Sequence, residues 1–297
     1  MHGSLKTLLV LATLCAAGGA QCQRLTVPFA NQPPQPPRAL PEYPTLSQVI
    51  ETVNTSTARV QSLSSSSLRI TAAGTPSLSG QLAIERPSRF RLKAHTAITG
   101  PEVDLGSNAD EFWLWVRRGQ PPALYTCRHD QFPYSAARAV VPIDPQWLIE
   151  AVGLPTLDPA GQHYGPETVR PGRLEVRSIV ASPTGPMTRV TQIDARGGFV
   201  VEQHVYDSQG TRVASSIGSR HVYDPTYGVT LPRQIDIQMP SGQINLRLEL
   251  NELIVNRLVG DPSQMFLKPF YEGFPEVNLG QTAPTLPAGY PLSLPTP

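Results

Sequence analysis

The sequence predicts a mainly β fold of the α+β kind: one large curved antiparallel sheet with two or more covering helices. Three observations predict it. Short runs alternate apolar and polar side chains, which is the period of a strand with one buried face. The turns between them are short and rich in Gly, Pro and Asp, which makes neighbouring strands antiparallel and leaves no βαβ rhythm. Two segments carry helix start signals.

The first element is a helix. Thr45 is placed to cap it, and Gln48 stands three residues on, the pattern of a capping box. Leu46, Val49, Ile50, Val53 and Val60 share one face, with Ser47, Glu51 and Asn54 opposite. A hairpin follows. Leu78, Gly80, Leu82 and Ile84 alternate with Ser79, Gln81, Ala83 and Glu85, Arg86-Pro87-Ser88 turns the chain, and Phe90, Leu92 and Ala94 return against Arg89, Arg91, Lys93 and His95. The row Arg91, Lys93, His95 reads as a wet strand face. Residues 101–106 and 111–117 form the next pair, and 122–129 another strand.

Phe112-Trp-Leu-Trp-Val116 breaks the alternation, because it is apolar on both faces. Phe112, Leu114 and Val116 share one face; Trp113 and Trp115 share the other. Either one set lines an interior cavity and the other packs under a lid segment or outer loop, or both are plain core beneath a helix and the 130–143 loop.

The second helix is expected over Asp144–Gly153. Asp144 caps it, Pro145 opens it, Gly153 stops it and Pro155 bars its continuation. Trp147, Leu148, Ala151 and Val152 are expected on one face. Strands then run to the end of the body, over 173–181, 187–194, 199–206, 211–222, 234–239 and 244–250, giving a meander of about eleven or twelve strands. Residues 174–256 are expected to be continuous antiparallel meander, with Ile235, Ile237, Ile244, Leu246 and Leu248 facing inward. A sheet this long curls, and two short helices cover only part of its apolar face, so a cavity between sheet and helices is expected.

The ends differ from the body. Lys6, the apolar run Leu8 to Ala17 and the small residues Gly18-Gly19-Ala20 read as an export leader over 1–20, cut near 20–22 and too short to span a bilayer. Cys22 is a candidate for lipidation, although Gln21 before it departs from the usual small residue. The competing reading is ordinary cleavage after Ala20. Residues 21–44 form a Pro-rich tether with a reach of about 70 Å when extended. The β domain spans 45–280, and 281–297 is a second Pro-rich tail, expected to be disordered.

Composition excludes other classes. The formal net charge is +1, so there is no electrostatic footprint for nucleic acid. No HExxH, GxSxG, phosphate loop or Cys-His signature is present, and none of the six histidines has metal-ligand spacing. Glu102, Asp104, Asp110 and Glu111 read as turn-shaping carboxylates. No enzyme activity, metal or cofactor is expected. Cys127 reads as a small buried side chain.

The run Ile84-Glu-Arg-Pro-Ser-Arg-Phe-Arg-Leu92, followed by Asp104-Leu-Gly-Ser-Asn-Ala-Asp-Glu-Phe-Trp-Leu-Trp115, resembles the outer-membrane lipoprotein carrier superfamily, LolA, LolB and their relatives. The order of helix, strands, mid-chain helix and further strands is similar over residues 45–260. The resemblance implies an incomplete β-barrel lidded by helices, holding lipid or lipoprotein acyl chains in an apolar cavity. Leu82, Ile84, Phe90, Leu92, Phe112, Leu114, Trp147, Ile235 and Ile237 are the candidate lining. The expected protein is a monomer in the bacterial periplasm, or anchored in the envelope through Cys22, acting as lipid carrier or acceptor. The alternative is an anchored structural or interaction scaffold with a filled core. A possible lipid anchor and the two Pro-rich ends depart from the pattern of a free carrier.

Overall fold

The structure, a computed structural model, describes residues 34–72, 76–139 and 144–281. The leader, Cys22, the tether up to residue 33 and the tail from 282 lie outside the described residues. The fold is a large, mostly antiparallel sheet of 15 strands, not closed into a barrel, with a separate two-stranded ribbon and three short helices among the described residues.

The chain enters along residues 34–44, which form no helix or strand, yet Leu40 is buried at 1% exposure. Helix α1 (Leu46–Ala58) follows, and its capping box is in place: Gln48 N donates to Thr45 Oγ1 and Thr45 N to Gln48 Oε1. Val49, Ile50 and Val53 pack with Leu40, Leu157, Leu174, Val176, Ile193 and Val200. Val60, expected on the helix face, lies beyond the helix end and is buried in the main core instead.

The first half of the sheet comprises β1 (Ser62–Ala72), β2 (Leu78–Glu85), β3 (Arg89–Thr96), β4 (Gly100–Ser107), β5 (Glu111–Val116) and β6 (Leu124–Arg128). Sequence patterning misses β1, because its run of serines hides the buried Leu63, Leu68 and Ile70. A register shift between Ser65 and Leu68 also breaks the period there. Helix α2 spans Trp147–Ala151, shorter than the expected Asp144–Gly153. Asp144 Oδ1 accepts from Gln146 N, so the cap residue holds a turn before the helix. Ile149, not Leu148, joins Trp147, Ala151 and Val152 among the buried side chains.

The second half holds β7 (Gln162–Arg170), β8 (Arg173–Val180), β9 (Met187–Asp194), β10 (Val200–Tyr206) and β11 (Arg212–Ser219). The ribbon is β12 (Val222–Asp224) with β13 (Val229–Leu231), and the sheet resumes with β14 (Gln234–Met239), β15 (Ile244–Leu250) and β16 (Ile254–Val255). Several expectations are corrected here. The described residues hold 17 strands, not about eleven or twelve. The 211–222 strand is split at Arg220, whose φ is positive, into β11 and β12, and β7 is an additional strand with no alternation, nearly all exposed. The meander of 174–256 is interrupted by the ribbon and by a single 3-10 turn at Pro240–Gly242. Ile235, Ile237 and Leu248 are buried, and Ile244 and Leu246 are half-buried against the same core, so the inward set holds.

With β17 (Glu276–Asn278) at one edge, the sheet order is β17-β6-β5-β4-β3-β2-β1-β15-β14-β11-β10-β9-β8-β7. Strand β1 joins the two halves by pairing with both β2 and β15. After β16 the chain runs through α3 (Pro262–Met265) and back across the sheet to β17 (Glu276–Asn278), which pairs in parallel with β6. Residues 257–281 thus form a strap over one face of the first half.

Candidate functional site

The inner face of the sheet is a lattice of apolar side chains in cross-strand register. Leu82, Leu92, Leu105 and Leu114 stand opposite one another across β2 to β5. Beside them runs Gly80, Ala94, Val103, Val116, and on the other side Ile84, Phe90, Ser107, Phe112, Cys127. The lattice continues through Ile70, Leu248 and Ile235 into the second half. Such directly opposed pairs are the unit of sheet stabilisation.

One end of the face is fully sealed, and the other is sealed in part, where Met239, Val205 and Ala214 are buried. Because neighbours run antiparallel, Leu63, Ile84, Phe90, Leu250 and Ile235 fall at the same end, and each is 3% exposed or less. Val60, Val152, Leu154, Val229 and Leu231 cover them. At the opposite end stand Leu78, Val116, Ile244 and Met187, the first or last residues of their strands, all half-buried. Leu92, Val103, Leu105, Leu114 and Leu246 are half-buried with them.

Helix α2 docks on the inner face through its C-terminal carbonyls. Gln203 Nε2 donates to Glu150 O at 2.7 Å, and Ser216 Oγ to Ala151 O at 2.5 Å. These satisfy acceptors that a helix end leaves without intrahelical partners. Arg189 Nη1 holds Glu150 Oε2 at 2.5 Å. Burial nonetheless raises the Glu150 carboxyl above its ordinary range, against the pull of Arg189 and Arg86. Trp147 is 2% exposed, and its Nε1 has no hydrogen-bond partner among the described residues.

Of the nine candidate residues, Leu82, Ile84, Phe90, Trp147, Ile235 and Ile237 are members of the main core, with Leu92 half-buried against it. Phe112 packs instead with Cys127, Phe132 and Ala137. Leu114 is half-buried in the leucine row. Leu105, Val103 and Val116 belong to the same surface. The alternation Val103-Asp-Leu105 is the sequence signal that points to the first two. Between α1 and β13 lies a small cleft of about 10 Å³ bordered by Val53, Leu154 and Leu231.

The outer face answers the question posed by the doubly apolar strand. Trp113 is fully buried, and Trp115 stacks on Tyr271 of the strap at 3.9 Å, with Phe274 edge-on at 5.2 Å. The cover is the strap, not a helix. Phe112 is covered on the inner side by Phe132 and Ala137, within the 130–143 segment. The reading of Arg91 as wet is corrected: it is 6% exposed and Asp104 is 1% exposed. Arg91 Nε meets Asp104 Oδ1 at 2.8 Å and Nη2 meets Oδ2 at 2.5 Å. Tyr271 Oη donates to Asp104 Oδ2 at 2.7 Å, and Arg91 Nη1 donates to the carbonyls of Met265 and Leu267. A two-toothed ion pair therefore docks the strap. Burial, then the bond to Asp104, pushes the Tyr271 phenol above its ordinary range.

The histidines and carboxylates elsewhere are tied to their neighbours, as three examples show. His129 Nε2 lies 3.0 Å from the Asn108 carbonyl and 3.1 Å from Ser107 Oγ. A nitrogen that donates to a carbonyl carries the proton and cannot take one from Ser107. Asp130 is paired with Arg128, and His204 with Glu202 at 3.5 Å. Among the described residues, no group of three or more His, Cys, Asp or Glu is placed to hold a metal ion. None of their helices is long and apolar enough to cross a membrane.

No protein-family model matches the chain, and no curated protein matches it. Similar solved structures exist. One is a domain described as an outer membrane lipoprotein-sorting protein from Vibrio parahaemolyticus, with TM-score 0.49 and 10% identity over 71% of this chain and 94% of that one. A second is a DUF1329 family protein from Desulfovibrio piger, with TM-score 0.47 and 11% identity over 73% and 98%. A third is a LolA superfamily protein from Nitrosomonas europaea, with TM-score 0.43 and 12% identity over 76% and 99%.

Proposed function

We propose that this is an exported envelope protein that holds a lipid or the acyl chains of a lipoprotein, non-covalently, on the inner face of the sheet. The observation that carries the reading is the row of half-buried apolar side chains at one end of that face, centred on Leu92, Leu105 and Leu114. A protein that only needed a core would bury this row as it buries Ile84 and Ile235 at the other end. Leu82, Ile84, Phe90, Phe112, Trp147, Ile235 and Ile237 back and flank it, so an acyl chain entering at the open end meets mainly hydrocarbon and aromatic surface. Burying an acyl chain of about fifteen methylenes at ~0.8 kcal/mol each gives an upper bound near 12 kcal/mol. Ordering the chain and taking it from a membrane offsets much of that, which suits a carrier or acceptor that must also release. The leader read from residues 1–20 supports export, and Cys22 with the Pro-rich tether supports an anchored form. No covalent step is invoked.

The test is lipid retained per protein after purification from envelope, measured by native mass spectrometry on wild type and Leu114→Glu. A carboxylate in the leucine row meets no partner in hydrocarbon. Expected is lipid on the wild type and loss of it in the variant, with the circular dichroism of both alike. Wild-type protein that retains no lipid would overturn the reading. The second reading, an anchored scaffold with a filled core, would then stand, and the tight packing of Trp147, Ile235 and Ile237 is what favours it.

A further inference from the structure

We propose that residues 282–297 of this chain lie along the half-buried leucine row of the inner face, so that an acyl chain entering there must displace them. The docking itself needs no lipid; its role as a guard rests on the function proposed above. The row continues beyond Leu114. Tyr125 stands opposite Leu114 on β6, and Val277 opposite Tyr125 on β17, so Leu82, Leu92, Leu105, Leu114, Tyr125 and Val277 form one line across six strands. All but Leu82 are half-buried. The line thus ends on the strand from which residues 282–297 depart.

The geometry of the exit aims the segment at this line. Leu279 faces the same side as Val277 and packs on Phe112, Cys127, Phe132 and Ala137, and its N–H donates to the Thr126 carbonyl, prolonging the β17–β6 ladder. Gln281 N then donates to Asn278 O at 3.3 Å, the bond of a reverse turn. Strand β17 runs toward the sealed end, because it is parallel to β6, and β6 starts at Leu124 beside the open end of β5. The turn therefore points the next residues back toward the open end, beside the inner face. Gly280 pins this exit: a Cβ there would collide with the Gln131 side chain, so the chain is pressed against the segment that covers Phe112.

The composition of the segment suits the surface. Residues 282–297 contain no Asp, Glu, Lys or Arg, and they place Leu286, Tyr290, Leu292 and Leu294 among five prolines. Segments that stay in water are usually charged and poor in large apolar side chains. Each proline lacks an N–H, so fewer backbone donors lose water when the segment lies on hydrocarbon. Proline also restricts the free chain, which lowers the entropy lost on docking. At about 3.1 Å per residue the segment reaches roughly 50 Å. The line from Val277 to Leu82 spans five strand spacings of about 4.8 Å, roughly 24 Å. The N-terminal segment is a poorer occupant, because the chain enters the fold where Leu40 packs with Leu157, Leu174 and Val200, in the second half of the sheet.

The experiment uses the full chain, stripped of lipid, with two readouts. In the first, p-benzoyl-L-phenylalanine replaces Leu114 and is photocross-linked. Expected is a cross-link within one chain, mapped by peptide mass spectrometry to residues 282–297. In the second, the fluorescent fatty acid cis-parinaric acid is titrated into the wild type and into a variant combining Leu286→Ser, Leu292→Ser and Leu294→Ser. The variant should bind it about tenfold more tightly, since a segment docked about nine-tenths of the time lowers apparent affinity by that factor. Thermal unfolding of each variant shows that the fold is retained. The proposal is overturned if the cross-link maps to another segment, if it joins two chains and so makes a second copy the cover, or if the triple variant binds the fatty acid no more tightly than the wild type. Fatty acid that binds neither protein, with the cross-link at 282–297 in place, would remove the lipid reading and leave the docking standing. Equal binding by both, with the cross-link elsewhere, would do the reverse.

Discussion

Replacing Asp104 with Asn tests whether the strap is held by charge. The carboxylate accepts from Arg91 Nε, Arg91 Nη2, Tyr271 Oη and, at 3.3 Å, Trp113 Nε1. The change is nearly isosteric, so packing against Trp113 is kept. What is lost is the anion, leaving the Arg91 guanidinium buried at 7% side-chain exposure without a counter-charge. Removing one partner of a buried pair costs about 3–5 kcal/mol, a large share of a typical domain stability of ~5–15 kcal/mol. Replacing both partners with apolar residues would not cancel the loss, because the Met265 and Leu267 carbonyls would then lose Arg91 Nη1 at about 1–3 kcal/mol for each orphaned acceptor. The assay is urea unfolding followed by tryptophan fluorescence, since Trp113 and Trp115 lie beneath the strap. The expected variant unfolds at lower urea, with the strap released before the remaining sheet. A loss under about 1 kcal/mol would place the pair in the solvent-screened class and refute the reasoning.

Three further outcomes are expected. Tyr271→Phe should cost about 1.5 kcal/mol at neutral pH, as a lost bond to a charged acceptor; because the fold raises this phenol, the wild-type contribution is complete below about pH 10 and fades as pH rises further, so the stability gap between wild type and variant should narrow in alkaline urea titrations and would tell against the assignment if it widened. Thr45→Ala should lower thermal stability by about 1 kcal/mol through the capping box, read by calorimetry; an unchanged midpoint would mean that α1 is held by packing alone. Cys22→Ser should convert a detergent-partitioning protein into a soluble one in phase-separation assays; unchanged partitioning would favour ordinary cleavage after Ala20.

Much of this fold is legible in the sequence because hydrophobic period and turn chemistry agree there. The β2–β3 hairpin, the capped α1 and the β14–β15 pair all follow from local patterns. The failures have physical causes. Strand β1 has its period broken at the Ser65–Leu68 register shift, and four of its residues are consecutive serines whose burial depends on partners far away in sequence. Strand β7 is an exposed edge and needs no alternation. Alternation makes Arg91 look wet because it assigns a face but not its cover. That cover is the strap, which arrives some 170 residues later, as in the separation of 176 between Arg91 and Leu267. The candidate lining shows the same division: the sequence identifies which side chains point inward, while the difference between sealed Ile84 and half-buried Leu114 depends on where distant segments end.

The strap also explains how an open sheet of this size keeps its apolar surfaces and its edge in order. Strand β5 is covered outside by Tyr271 and Phe274, and inside at Phe112 by the 130–137 segment, while Leu114 and Val116 stay half-buried. The same strap ends as β17, whose parallel pairing with β6 places a three-residue strand, rather than the longer β6, at the sheet edge. A short edge offers few unpaired backbone groups to another chain. Lys268 reinforces it by reaching Glu111 at 3.1 Å and Glu276 at 2.7 Å, joining the strap to β5 and to β17 itself. At the other edge, β7 carries two register shifts against β8 and a row of exposed polar residues, which discourage pairing by geometry and charge. Edges and outer face are thus protected by devices local to each, so the half-buried leucine row at the open end of the inner face is not explained by general looseness of the sheet. That row is the surface on which the proposed binding of an acyl chain rests.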